Sequence, residues 1–299
     1  MKTFSEYTPK KSVINESTQN KYTLFPKDNT ELKQMISLEI YEKQGYEADL
    51  NHIDVSEIED FSRVFAWTSF CGDISRWDVS NARTMAGMFE GASAFNGDIS
   101  NWDVSNVTDM NSMFCMTRSF NGDISEWDVS KVTNMRKMFM QAKVFNQDIS
   151  GWDVSSVTDM SYMFDQSKFN RDISIWDVRN VTSMMNMFSH SEFNGNLKRW
   201  NTKNVTNMSA MFQGCDFNQD ISRWNVSNVI NMADMFNGCK KFNQDISRWN
   251  VSNVRITEFM FFDCKSFDQD ISGWDVSSVE NSHNMFYGCP CKKEHRPLI

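Results

Sequence analysis

One unit, written over and over, constrains this chain more than any other feature. The stretch from Phe145 to Lys168, FNQDISGWDVSSVTDMSYMFDQSK, recurs in close variants from Cys71 to the C-terminus. Its anchors are Trp77, Trp102, Trp127, Trp152, Trp176, Trp200, Trp224, Trp249 and Trp274, spaced 25, 25, 25, 24, 24, 24, 25 and 25 residues apart. A fixed period of this size marks stacked units, each too small to bury its own apolar face and each completed by its neighbours. A length of 299 residues would suit two ordinary domains, but the repeat makes one continuous core the expectation. The segment Ile53 to Ser69 is a degenerate first copy, with Ile53 in the tryptophan position, so about ten coils are expected. The organisation read from the chain is a disordered polar tail over 1–24, a helical cap over 25–52, the repeats over 53–289 and a short tail over 290–299.

The copy around Trp102 shows how one coil is expected to fold. Trp102-Asp103-Val104 alternates apolar, polar, apolar, which predicts a short strand. Val107, Met110, Met113 and Phe114 follow at spacings of 3, 3 and 1, which predicts a short helical turn. Gly, Asn and Asp collect at the corner, where turns need them. Each coil then lays its strand in parallel on the one before. The fold class is therefore a repeat solenoid, α/β, with one strand and one helical turn per coil. A parallel β-helix, with VTDMSYMF as a second strand, is the alternative. Before the first coil, Asp28 with Glu31 fits a capping box and Gly45 fits a stop, so a helix is expected from about 29 to 44. Leu32, Met35, Ile36 and Ile40 give it an apolar face to lay on the end of the stack.

The tryptophan column and the methionine pairs, such as Met110 with Met113, read as core and not as ligand-stacking or soft-metal sites. The column Asn96, Asn121, Asn146, Asn170, Asn194, Asn218 and Asn243 reads as turn residues that satisfy backbone groups at the corner. Calcium-binding repeats carry several glycines per short unit, and 12 glycines in 299 residues do not fit them. Cys215, Cys239, Cys264 and Cys289 share a position that holds Ala92, Thr117, Ala142, Ser167 and Ser191 in earlier copies, which predicts a small buried slot with free thiols, disulfides between neighbouring coils being the alternative. The C-terminal pair Cys289 and Cys291 is too small a set for zinc, which takes four ligands. No metal and no cofactor are expected.

Net charge is −9 with a pI of about 5.0, which disfavours a nucleic-acid partner. No run of 18 apolar residues exists, so membrane insertion is not expected. The N-terminus shows no secretory signal, which favours the cytoplasm, with export by another route or cutting from a longer precursor as the alternatives. The four histidines, His52, His190, His283 and His295, are scattered and neighbour no recurrent nucleophile, so an enzyme is not expected.

The pattern VT-x-M-x-x-MF-x-x-(A/C)-x-x-x-FN-x-DIS-x-WDVS-x-V resembles the 25- to 26-residue repeat of BspA-like leucine-rich-repeat surface proteins, also described as a domain of unknown function in mycoplasma and listerial lipoproteins. The resemblance covers about residues 53–289. It implies a right-handed, leucine-rich-repeat-like solenoid in which Ile-x-x-Trp-x-Val plays the part of the Leu-x-x-Leu-x-Leu strand. It also implies cell-surface adhesion or capture of a host protein, and it supplies no catalytic residues.

Function is then expected on the outward residues that flank the tryptophan. After it stand Asp103, Asp128, Asp153 and Asp177, an acidic ribbon fit for a basic partner. Before it stand Arg199, Arg223 and Arg248, a column fit for a carboxylate-rich or aromatic surface. The expected function is a monomeric, non-catalytic scaffold or adhesin-like protein that binds a protein partner on this face. A structural spacer is the alternative.

Overall fold

The computed structural model describes residues 22–42 and 45–298. Most of the segment read as a polar tail therefore lies outside the described residues. Its last residues are not tail. Leu24 forms a parallel bridge with Ile53, and the N–H groups of Thr23 and Asp54 bond across that bridge at 2.8 Å. Leu24 is apolar and packs on the core, which ties it down.

Helix α1 runs Asn29–Glu42. Asp28 caps it by accepting the Glu31 N–H at 2.9 Å. The Glu31 carboxylate reaches back to the Lys27 N–H at 3.0 Å, one residue earlier than a capping box would place it. Leu32, Met35 and Ile36 are buried, and Leu32 and Ile36 join the same core as the coils.

Coil structure starts earlier than residue 53. Cys71 N–H bonds to Tyr46 O, and the Leu50 carbonyl accepts the Trp77 indole N–H at 3.0 Å. Leu50 stands three residues before Ile53, just as Ile74 stands before Trp77, so residues 46–52 are the corner of coil one and not part of the cap.

From there, parallel bridges link each coil to the next through Asp60, Thr84, Asp109, Asn134, Asp159, Ser183, Asn207, Asn231, Ile256 and Asn281. These are ten equivalent positions in ten coils. They are isolated bridges, and among the described residues neither a named strand nor a helix within a coil is formed. The expected strand at Trp-x-Val and the expected helical turn after it are both corrected by this.

The backbone explains why. In the coil of Trp102, the N–H groups of Met110, Ser112, Phe114 and Met116 leave the coil for Asn134 O, Arg136 O, Met138 O and Met140 O at 3.0, 2.8, 2.9 and 2.7 Å. Of the N–H groups that alternate with them, that of Asn111 goes to Asp109 Oδ1 at 2.9 Å, and those of Met113, Cys115 and Thr117 turn back three residues at 3.2, 3.0 and 3.2 Å. A helix sends every N–H to the fourth carbonyl before it. Here a left-handed residue interrupts that direction twice per coil: Ser112 at φ 56° and Met116 at φ 60°. The same two positions are left-handed from Arg63 and Trp67 in coil one to Asn284 and Gly288 in coil ten. Most are not glycine, at about 1–2 kcal/mol each against the right-handed alternative. The chain of bonds to the next coil offsets that cost. The segment read as helix is thus the hydrogen-bonded flank.

Among the described residues, the Trp-x-Val segment makes no backbone bond to the next coil. The rings of Trp77 and Trp102 lie parallel at 6.4 Å, wider than the roughly 4.8 Å at which strands pair. The indole N–H spans the gap: Trp102 donates to Ile74 O at 3.2 Å, Trp152 to Ile124 O at 3.0 Å and Trp224 to Leu197 O at 2.9 Å. Phenylalanine would fill the slot but leave that buried carbonyl one donor short. Between flank and tryptophan runs a phenylalanine ladder, 5.6 Å from Phe89 to Phe114 and 5.9 Å from Phe212 to Phe236. From Phe65 to Phe261, each of its rings stacks on a second phenylalanine of its own coil, at 4.0 Å for Phe139 on Phe145.

Candidate functional site

At the tryptophan edge the acidic column is built by a local turn. Asp103, Asp128 and Asp153 are exposed and Asp177 is half-buried. Each accepts, through Oδ1, the N–H two residues on: Ser105, Ser130 and Ser155 at 3.0 Å, and Arg179 at 3.2 Å. Asn225 and Asn250 do the same for Ser227 and Ser252. The turn needs an acceptor oxygen and is indifferent to its charge. The Ser130 hydroxyl and N–H hold the Asp128 carboxyl below its ordinary range, and the Arg179 guanidinium does so for Asp177. Arg179 also takes the second oxygen of Asp177 at 2.7 Å. The aspartates therefore lie in one line, as expected, but their first task is to shape the corner.

The arginine column is placed differently. Arg199, Arg223 and Arg248 are exposed at one position of three successive coils. Arg248 lies near enough to Asp245 to help lower its carboxyl. The guanidinium groups of Arg199 and Arg223 have no hydrogen bond or ion pair among the described residues.

The asparagine column forms a ladder of its own at the corner. The Asn96 side-chain oxygen accepts the Asn121 N–H at 2.9 Å, and each later asparagine repeats the contact to the coil after it. It is committed to backbone. The cysteine column is buried and its thiols are free. Burial pushes the Cys215 thiol up to about 11, which suppresses the reactive thiolate. Among the described residues, no group of three His, Cys, Asp or Glu side chains is close enough to hold a metal ion.

One feature of the site geometry is missing from the reading of the repeat. The hydrogen-bonded flank carries side chains that change from coil to coil. Over coils one to four they leave a depression of about 330 Å³ lined by Arg63, Glu90, Arg136 and Lys137 around small residues. The signal for it was the variety of residues in the run between the repeated Met and Phe positions.

The sequence matches the family described as Mycoplasma protein of unknown function, DUF285, over residues 30–133, 119–216 and 189–296. These stretches together span the whole stack, and the chain belongs to this family of repeat proteins. No curated protein and no solved structure matches it. Among the described residues, no helix is long and apolar enough to cross a membrane.

Proposed function

We propose that this member of the family is a non-catalytic scaffold that binds a protein partner along the tryptophan edge of its coils. We read the stack as a leucine-rich-repeat-like solenoid of the BspA kind, in which indole hydrogen bonds take the place of strand pairing along Ile-x-x-Trp-x-Val. The observation that carries the proposal is the arginine column. Three exposed guanidiniums share one position on successive coils of a chain with net charge −9, and two of them have no partner among the described residues. In an acidic protein, arginines set out this way have nearby acids to pair with, so leaving their donors open suits recognition of carboxylates. Asp103, Asp128 and Asp153 extend the edge and offer a partner the oxygen that the turn does not use. Asp177 is the weaker member, since Arg179 occupies it.

The test is the pair Arg199→Glu with Arg223→Glu. The melting temperature and circular dichroism should stay as they are, and partner capture in a pull-down should fall at least about tenfold, the loss expected for removing and reversing charge-assisted contacts. Capture at the original level would remove the arginine column from the proposal. Proximity labelling in the native cell supplies the partner for that assay.

A further inference from the structure

The depression on the hydrogen-bonded flank lies away from the arginine column and has its own chemistry. It arises because residue size changes abruptly between neighbouring coils. Coil one presents Arg63, coils two and three present Ala86, Gly87, Asn111 and Ser112 with Glu90 turned to the first wall, and coil four presents Arg136 and Lys137. Two coils of small residues make a floor roughly 10 Å wide. Arg63 N–H to Ala86 O at 3.0 Å, Gly87 N–H to Asn111 O at 2.7 Å and Ser112 N–H to Arg136 O at 2.8 Å run through that floor. These bonds fix it and spend its backbone donors, so recognition falls to side chains.

The two walls differ. On the first, Arg63 is paired with Glu90. Gly87 makes room for that pair: a Cβ there would stand 3.1 Å from Arg63 Cγ and 3.2 Å from a Glu90 carboxylate oxygen. On the second wall, Arg136 and Lys137 both lie over the Tyr162 ring, at 5.1 and 5.6 Å from its centroid. A ring steadies a cation without using up its N–H donors. The acid nearest to Arg136 is Asp159, at a long 3.8 Å. The Lys137 ammonium has no hydrogen bond or ion pair among the described residues. The lining thus holds three cations against one carboxylate, and the uncompensated charge sits on the second wall.

We infer that this depression binds a carboxylate carried by a peptide, gripped by Arg136 and Lys137 and seated over Ser112 and Asn111. Tyr162 is a positioning residue that holds both cations toward the floor. The site is separate from the tryptophan edge and does not depend on the arginine column binding a partner.

The experiment uses the full chain and two fluorescent peptides: tetraglutamate with an amidated C-terminus, and tetraglutamine with a free C-terminal carboxylate. Binding of the first assigns a side-chain carboxylate, and binding of the second a chain end; either supports the site. The affinity should fall as salt rises. Arg136→Gln with Lys137→Gln should weaken it about tenfold or more, as for loss of charge-assisted contacts. Ala86→Glu should abolish binding by placing a carboxylate in the floor. The fold admits long side chains at that position, because Arg136 and Glu258 occupy it in other coils. Tyr162→Ala should weaken binding and Tyr162→Phe should not. No binding of either peptide at millimolar concentration, or undiminished binding by the Arg136/Lys137 variant, overturns the inference. Binding lost only in the Arg199→Glu, Arg223→Glu variant would overturn it too, while leaving the proposed function standing.

Discussion

The two ends of the stack are closed in different ways. At the N-terminal end α1 lies over coil one, with Leu32 and Ile36 in the common core. Its first residue, Asn29, donates from Nδ2 to Asp60 O and Ser62 O, both at 3.0 Å. In every later coil the equivalent carbonyls accept N–H groups from the coil before. At the C-terminal end, the N–H groups of Ser282, Asn284, Phe286 and Gly288 have no acceptor among the described residues. Their equivalents one coil earlier, in Thr257, Phe259, Phe261 and Asp263, donate to Asn281, His283, Met285 and Tyr287. The C-terminal tail packs elsewhere: His295 O accepts the Ile271 N–H at 2.9 Å, and Arg296 lies over Phe286 while bonding to Cys291 O.

The difference shows that the flank has a direction. Four N–H groups per coil point toward the C-terminal end and four carbonyls toward the N-terminal end. The first end therefore needs a donor, which an asparagine amide supplies, and the last end needs acceptors.

The strongest way to break this comparison is to remove each end in turn. Deleting residues 22–42 takes away the buried Leu32, Met35 and Ile36 and should cost roughly 5 kcal/mol, at about 1.5–3 kcal/mol per side chain. Urea unfolding would measure it. Deleting residues 290–298 should cost less than half as much. Equal costs would mean that the two ends are closed equally well.

A smaller effect is expected from Asn29→Ala. It leaves the Asp60 and Ser62 carbonyls to water and should destabilise by about 1–2 kcal/mol in the same assay, the scale of one or two net hydrogen bonds.

Hydrogen exchange sharpens the other half of the comparison without a mutation. The amides of Ser282, Asn284, Phe286 and Gly288 should exchange far faster than those of Met232, Asp234, Phe236 and Gly238, which are bonded to the next coil. Equal protection would show that the last coil's donors are covered.

The smallest effect concerns pH. Asp268 accepts the Lys292 N–H at 2.9 Å and faces His295 at 3.1 Å, and the Lys292 N–H in particular holds its carboxyl below the ordinary value of 3.8. A carboxyl whose folded pKa is depressed adds stability above its unfolded value and loses it as pH falls through the folded one. Acidification below about pH 4 should loosen the tail, seen as NMR shift changes at Lys292. The Asn29 contact carries no charge and should not respond over that range. The same loosening of the tail in an Asp268→Asn variant would contradict this assignment.

Much of the core was legible from the sequence. Trp152, Met160, Met163 and Phe164 recur at one period with their apolar character intact, and all are buried. Helix α1 was legible because Asp28, Glu31 and the apolar face of Leu32, Met35 and Ile36 are local signals, which act within a few residues. The arginine column was legible as exposed because it sits beside a buried tryptophan. The task of the aspartates was not. Asp103 and Asn225 look like a charge and its loss until each is seen accepting the N–H two residues on. The depression was out of reach for another reason. Arg63, Gly87, Ser112 and Lys137 meet only because coils stack, and no local pattern joins residues about 25 apart.

The sequence by itself determined the period and which side chains face inward, because the hydrophobic effect acts on residue type and spacing alone. Only the tertiary structure decided which backbone groups pair. Val107, Met110, Met113 and Phe114 suit a helical turn and a run of turns equally well. The choice rests on the sign of φ at Ser112 and Met116, where no glycine announces it. Carbonyls from the next coil hold those residues left-handed. That coil lies 24 residues away, and its pull is felt only once the stack has formed.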